Sequence, residues 1–307
     1  MTGVAITGVG LHPFGRFDGA STTDLGVVAV RRALAEAGLG KDGFQAAFCG
    51  TAYGGVATGH KVLSRLGMTG MGLPIVDVEA GCASGSAALM LAGAAIRGGQ
   101  YDTVLVFGVD KMPKGIIRSS FFEPWQEEAG LAATPSFFAL RAQRLALTSG
   151  VTKDHLARVV VKNRRHGVAN PDAMFRKETS VNEVLASRVV CEPLHLFMLC
   201  SPNEGAAALV LTRADLVSSP SPVRLAAAVL RSHAPGPVLS ESTPLSGLTD
   251  DDVPAPSTHA ARAAYEESGI GPADLDVVVG EAGQGGGLAE DGPRRVRTED
   301  GGRKTDG

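Results

Sequence analysis

Of the four cysteines in this chain, at positions 49, 82, 191 and 200, Cys82 stands in the setting that catalysis would use. Pro74 to Val78 reads as a short apolar strand, Glu79 to Gly81 as a tight turn, and Ala83 to Arg97 as a helix with almost no polar surface. That spacing predicts a thiol at a helix N-terminus, where unpaired backbone N–H groups and the positive end of the helix dipole favour thiolate over thiol. A thiolate attacks carbonyl carbon and then holds the acyl group, so Cys82 is the candidate nucleophile. Cysteine in general is more often a small buried hydrophobe, and the strand, turn and helix around Cys82 set it apart from that reading.

Other chemistries find little support in the residues. The cysteines show neither CxxC spacing nor the density of a secreted scaffold, which argues against metal and disulfide roles. Histidines 12, 60, 155, 166, 195, 233 and 259 never fall at metal-ligand spacing. The glycines from Gly50 to Gly59 match neither GxGxxG nor the phosphate loop GxxxxGK(S/T), so no nucleotide cofactor is expected.

The elements that must position Cys82 follow from periodicity and punctuation. Val4 to Val9 reads as a strand ending in Gly8 and Gly10, and Thr22 opens a helix that runs to Ala37 and closes at Gly38. Phe44 to Cys49 is a second strand, followed by the glycine-rich stretch and a helix from His60 to about Leu66. Tyr101 to Val109 is nearly continuous in apolar residues, as a strand buried on both faces would be. Alternating strands and helices predict an α/β fold with a mainly parallel sheet covered on both sides. The Cys82 helix, having no polar face, should lie clamped between layers.

From residue 111 to residue 204 the pattern departs from the sheet, with helices expected at about Ser136 to Thr148 and Thr152 to Gly167. Gly205 to Thr212 returns as a core strand, and Pro220-Ser-Pro222 marks a boundary. A shorter second series follows, with a strand from Val223 to Val229, a helix from Ser257 to Ser268 and a strand from Leu275 to Val279. Residues 283–307 hold Gly, Arg, Asp and Glu with almost nothing to bury, the composition of a disordered tail.

At 307 residues, 44% hydrophobic and 20% charged, the chain can bury a substantial core. Its net charge of -3 and the lack of basic patches before residue 280 argue against nucleic-acid and membrane-surface partners. With no signal-like leader and no apolar run fit to span a bilayer, a cytoplasmic protein is expected.

Several blocks together resemble the thiolase superfamily, and more narrowly its lipid-transfer-protein or sterol-carrier-protein thiolase branch. They are Gly50-Thr-Ala-Tyr-Gly-Gly, Gly59-His-Lys-Val-Leu, Val78-Glu-Ala-Gly-Cys82-Ala-Ser-Gly-Ser, Gly108-Val-Asp-Lys-Met112, Asn170-Pro-Asp-Ala-Met-Phe175 and Cys200-Ser-Pro-Asn-Glu-Gly-Ala-Ala-Ala208. The resemblance implies a layered α/β/α/β/α fold of two similar halves, the first complete and the second partial. The first half would be residues 1–110, closed by the strand 205–212. A cover domain at 111–204, a partial second half at 222–282 and the tail at 283–307 would complete the chain.

By the same resemblance Cys82 is the acyl-accepting nucleophile, and a coenzyme A thioester is a substrate rather than a bound cofactor. The usual assembly is a homodimer that pairs edge strands of the first halves, and some relatives pair with a small OB-fold protein. Asn170-Pro and Cys200-Ser-Pro carry over as structural, as does Glu204, where relatives usually have Asp. Relatives also have a catalytic histidine after the strand matching Leu275 to Val279. Here the sequence reads Val279-Gly-Glu-Ala-Gly-Gln-Gly-Gly-Gly, with no histidine after His259 and no cysteine after Cys200. A truncated or frame-shifted second half is the reading for that absence.

Three functions follow as expectations. The first is cysteine acyl transfer on coenzyme A thioesters, as 3-ketoacyl-CoA thiolase or acetyl-CoA acetyltransferase. The second is a retro-aldolase of steroid side-chain degradation. The third is a catalytically incomplete acyl-CoA-binding subunit.

Overall fold

The computed structural model describes residues 3–70, 72–115, 124–129, 134–232 and 256–278. The tail expected at 283–307 lies outside the described residues, as do residues 233–255.

In chain order the first unit comprises strand β1 (Val4–Gly15), helix α1 (Thr22–Glu36), strand β2 (Ala46–Gly50), helix α2 (Thr58–Arg65) and strand β3 (Ile75–Val78). Helix α3 (Ser84–Arg97) and strand β4 (Thr103–Lys111) follow. The excursion then gives α4 (Pro124–Glu128), α5 (Thr134–Ser149), α6 (Lys153–Ala169), α7 (Val181–Ala186) and the small strands β5 (Val189–Cys191) and β6 (Leu194–His195). Strand β7 (Glu204–Arg213) returns to the sheet, and β8 (Val223–Arg224) and α8 (Pro256–Ser268) come last.

Among the described residues, β3-β2-β4-β7-β1-β8 is the order of the main sheet. The expectation of a mainly parallel sheet is corrected by the pairing. Only β2–β3 and β2–β4 are parallel, whereas β7 runs antiparallel to both β4 and β1, and β8 antiparallel to β1. Helical crossovers between β2, β3 and β4 impose the parallel part. Strand β7 arrives from a separate excursion and is under no such constraint.

Alternation along the strands divides two cores. Leu105, Phe107 and Val109 face α1 and α2 with Leu25, Val30, Val62 and Leu63. Val104 and Val106 face the opposite way, toward Ala88, Ala92 and Ile96 of α3. The described residues therefore build an α/β/α stack around one sheet.

Strand β1 runs past Val9, where the sequence suggested it would end. Its glycines are there for helix packing, not for termination. A Cβ on Gly8 would lie 2.3 Å from the Ala33 carbonyl oxygen, and one on Gly10 would lie 2.1 Å from that of Ala29. Helix α1 rests directly on the β1 backbone. Its start is fixed by Ser21, whose hydroxyl accepts the Asp24 N–H while Asp24 accepts the Ser21 N–H.

The excursion has a core of its own, from Ala139 and Ala142 on α5, Ala157 and Val160 on α6, Val184 on α7, and Leu194 and Met198. It touches the sheet through a backbone hydrogen bond from the Phe14 N–H of β1 to the Asp172 carbonyl, 2.9 Å, and its two ends are joined, where they leave β4 and enter β7, by the Met112 N–H and the Asn203 carbonyl, 3.1 Å.

The second series differs most from expectation. Only Val223 and Arg224 of the strand expected to reach Val229 pair, opposite Ile6 and Ala5. Residues 275–278 form no strand, and Val277 and Val278 are 75% and 66% exposed. A strand needs a neighbour for its N–H and C=O groups, and among the described residues the only sheet besides the main one is the β5–β6 pair of the excursion, which supplies none here. For the same reason α3 is not clamped between layers. Gly85, Ser86, Leu91 and Ala94 on its outer side are exposed.

Candidate active site

Cys82 does not cap α3. It sits in the middle of a short 3-10 turn, Gly81–Ala83, that leads straight into the helix at Ser84. Gly81 has φ 56°, a left-handed conformation that a residue with a side chain adopts only under strain, and this lets the chain reverse between β3 and the turn.

Ser84 holds the turn from within. Its hydroxyl donates to the Gly81 carbonyl, 2.6 Å, and accepts the Ala80 N–H, 2.9 Å. Glu79 accepts the Gly81 N–H at 2.7 Å. The assembly is seated on the end of β2, because a Cβ on Gly50 would lie 2.6 Å from the carbonyl group of Ser84 and from the Gly85 nitrogen. Any larger residue at 50 would push the start of α3 away.

Cys82 is exposed, as is Cys200, while Cys49 is buried on β2. Burial pushes the Cys49 thiol far above its ordinary range, and the carboxylates of Asp77 and Asp110 push it further. Cys49 is an inert core residue. Of the two exposed thiols, only Cys82 is held in the turn that opens α3.

The glycine-rich stretch after β2, which the sequence offered only as a failed phosphate loop, borders the Cys82 turn. The Thr51 N–H donates to the Val78 carbonyl at 3.1 Å, continuing the β2–β3 ladder by one residue. Asp110, at the end of β4, then folds the loop back. It accepts the Thr51 hydroxyl at 2.8 Å, the Ala52 N–H at 3.0 Å and the Tyr53 N–H at 2.7 Å. The Tyr53 phenol is raised above its ordinary pKa by burial first, then by the charges of Cys82, Asp110 and Cys200. Tyr53 and Asp110 were missed as site residues in the sequence. Their signal was a charged pair, Asp110-Lys111, directly after a strand buried on both faces.

Next to Asp110, Lys111 and Glu204 tie the same end of the sheet together. Glu204 is buried and accepts from Lys111, 2.9 Å, from Arg16, 3.3 Å, and from the Phe17 N–H, 2.7 Å. Asn170 accepts the Asp172 N–H at 3.0 Å, and this turn presents the Asp172 carbonyl to Phe14. Among the described residues no cluster of three His, Cys, Asp or Glu side chains is disposed to hold a metal ion. No helix among them is long and apolar enough to cross a membrane.

Comparison with known proteins bears on this arrangement directly. The family described as "Thiolase, N-terminal domain" matches residues 4–215. Benzoylsuccinyl-CoA thiolase subunit BbsB of Thauera aromatica is 35% identical over 283 residues, covering 90% of this chain and 70% of that protein. Sterol carrier protein 2 of Bos taurus is 31% identical over 295 residues, covering 90% of this chain but only 53% of that protein's length. Among solved structures, the Ltp2-ChsH2(DUF35) aldolase superposes with a TM-score of 0.70 at 23% identity, over 89% of this chain and 71% of that one. The matched span takes in every strand from β1 to β7 and the turn that carries Cys82, and on that ground the chain belongs to the thiolase family.

Proposed function

We propose that the chain is a thiolase-type acyltransferase acting on coenzyme A thioesters, with Cys82 as the acyl acceptor. The observation that carries this reading is the exposed Cys82, on a turn whose backbone Ser84 holds at Ala80 and Gly81 and whose following helix start is seated on Gly50. The thiolate attacks the thioester carbonyl carbon, a new C–S bond forms to Cys82, and the coenzyme A thiolate leaves. Lipid or sterol metabolism is the setting that relatives such as sterol carrier protein 2 suggest. Strand β3 is a sheet edge with Val76 41% exposed, which suits pairing with a second copy in a homodimer.

A second reading is a subunit that binds acyl-CoA and needs a partner to complete the site. It is favoured by the exposed outer side of α3, where Gly85, Ser86, Leu91 and Ala94 have no covering layer among the described residues. One relative is itself named a thiolase subunit, and the superposed aldolase pairs its chain with a DUF35 protein. A small OB-fold partner is the kind of protein proposed here.

The test is to incubate the protein with an acyl-CoA, quench in acid and map adducts by mass spectrometry. The expected result is an acyl mass increment on the Cys82 peptide with release of coenzyme A, absent in Cys82→Ser. No adduct on Cys82, with acyl-CoA still retained by the folded protein, would favour the binding subunit.

A further inference from the structure

At the entrance to a helix a serine hydroxyl ordinarily accepts an N–H further along the chain. The hydroxyl of Ser84, the first residue of α3, reaches upstream instead, accepting the Ala80 N–H at 2.9 Å and donating to the Gly81 carbonyl at 2.6 Å. The N-cap of α3, Ala83, makes no side-chain cap. The hydroxyl therefore serves the turn rather than the helix. The backbone bonds of the turn run from the Ala83 N–H to the Ala80 carbonyl, 3.0 Å, and from the Ser84 N–H to the Gly81 carbonyl. Cys82 lies inside the ring that these bonds close from Ala80 to Ser84. Ser84 itself is 4% exposed, and its carbonyl end is seated on Gly50, so one buried residue joins β2 to the turn.

The geometry points to Ser84 as a positioning residue for Cys82, its hydroxyl holding the turn in the form that presents the sulfur to a thioester carbonyl; this rests on the acyltransferase reading above. In that step Cys82 gives up its proton, a C–S bond forms to the acyl carbon and the bond to the coenzyme A sulfur breaks. Coenzyme A leaves as the thiol, carrying the equivalent of the proton that Cys82 lost. Attack needs the reacting atoms about 3–3.5 Å apart, and a misplacement of about 1 Å can cost on the order of a hundredfold in rate. Gly81, the residue before Cys82, is where such a misplacement would start. A glycine at φ 56° has other conformations open to it, so bonds rather than sterics keep it there. Glu79 holds its N–H at 2.7 Å and Ser84 holds its carbonyl. Loss of the hydroxyl leaves that carbonyl with the backbone N–H of residue 84 alone and releases the Ala80 N–H.

The experiment follows first-turnover release of coenzyme A against acyl-CoA concentration in the unsubstituted protein, Ser84→Ala and Ser84→Thr, with thermal melts of all three. In Ser84→Ala the acylation rate at saturation should fall by roughly tenfold or more while the half-saturating concentration stays the same. Ser84→Thr keeps the hydroxyl and should recover most of that loss. The proposal is overturned if Ser84→Ala acylates as fast as the unsubstituted protein, if only its half-saturating concentration changes, or if Ser84→Thr is folded and equally slow. A loss in Ser84→Ala that follows a collapse of its melt also overturns it, since the hydroxyl would then serve the fold alone. Alkylation of Cys82 by iodoacetamide, read by peptide mapping, runs alongside and needs no acyl transfer. If the unsubstituted protein forms no acyl adduct, the acyltransferase reading falls and alkylation decides the role of Ser84. Slower labelling of Cys82 in folded Ser84→Ala then keeps Ser84 as the residue that sets the thiol, and an unchanged rate removes it.

Discussion

Lys111 Nζ lies 2.9 Å from Glu204 Oε2, and the same ammonium donates to the carbonyls of Phe17 and Ala20 at 2.8 and 2.7 Å. The two residues face each other across the last rung of the β4–β7 ladder. They join the end of β4, the start of β7 and the chain leaving β1, one residue along from the Asp110 that cradles the Tyr53 loop. A segment expected from sequence to be merely structural proves to be the knot at the site's end of the sheet.

Glu204→Gln is expected to destabilise the protein by roughly 3–5 kcal/mol, because it leaves the Lys111 and Arg16 cations without their buried counter-charge. The wild-type contribution depends on pH. Burial raises the Glu204 carboxyl, but donors from Lys111, Phe17 and Arg16 outweigh it and hold the group below its ordinary value of 4.5. A carboxyl lowered in the folded state adds stability above 4.5 and loses it as pH falls below that toward the folded value. Urea midpoints of wild type and Glu204→Gln should therefore differ widely at pH 7 and converge in acid.

Brief alkylation of the folded protein should label Cys82 first. Cys200 is the competitor, being exposed but outside a helix start, and Cys49 should stay unlabelled until the sheet unfolds. Peptide mapping at short times reads the order, and Cys200 ahead of Cys82 would remove the nucleophile assignment.

Gly50→Ala and Gly85→Ala make the same chemical change a few ångströms apart with opposite outcomes. At Gly50 the new methyl group meets the Ser84 carbonyl at 2.6 Å, and a loss of about 1–3 kcal/mol with slower Cys82 labelling is expected. At Gly85 nothing lies within 4 Å, and alanine should gain up to about 1 kcal/mol from helix propensity. Thermal melts of the two variants give the comparison.

Arg97 closes α3 and reaches Glu267 of α8 at 3.1 Å, with a second bond to the Leu225 carbonyl at 3.3 Å. Arg97→Ala should loosen α8 while costing the sheet little, as a partly exposed pair contributes about 1 kcal/mol or less. Hydrogen exchange should rise in residues 257–268 and remain unchanged in β4 and β7.

The parts of this molecule that were legible in the sequence are those fixed by local pattern. The helix that opens at Thr22, the both-face apolar run of β4 and the strand, turn and helix around Cys82 each announce themselves within one continuous stretch of chain. What escaped depends on distant partners. Gly10 reads as a strand terminator until α1 is laid across it, and Asp110 is only one letter of the Gly108–Met112 block until the Thr51 hydroxyl and the Ala52 and Tyr53 amides are brought to it. Of the strands expected after Val223, only Val223 and Arg224 join the sheet, beside β1, and residues 275–278 have the right composition but no strand beside them among the described residues. Composition selects residues that suit a strand, and only a neighbour makes them one.

Strand β7 lies between β4 and β1, so Val4 and Thr103 meet Arg213 and Thr212 across more than a hundred intervening residues of chain. During translation, β1 to β4 emerge with two hydrogen-bonding rows that have no partner until residue 213 leaves the ribosome. At about 5–20 residues per second that interval lasts on the order of 5–20 s. Throughout it the Cys82 turn has its seat on Gly50, yet the ladder that aligns Asp110 beside it is still open on one side. The nucleophile is assembled early, and the frame that orients its surroundings closes late.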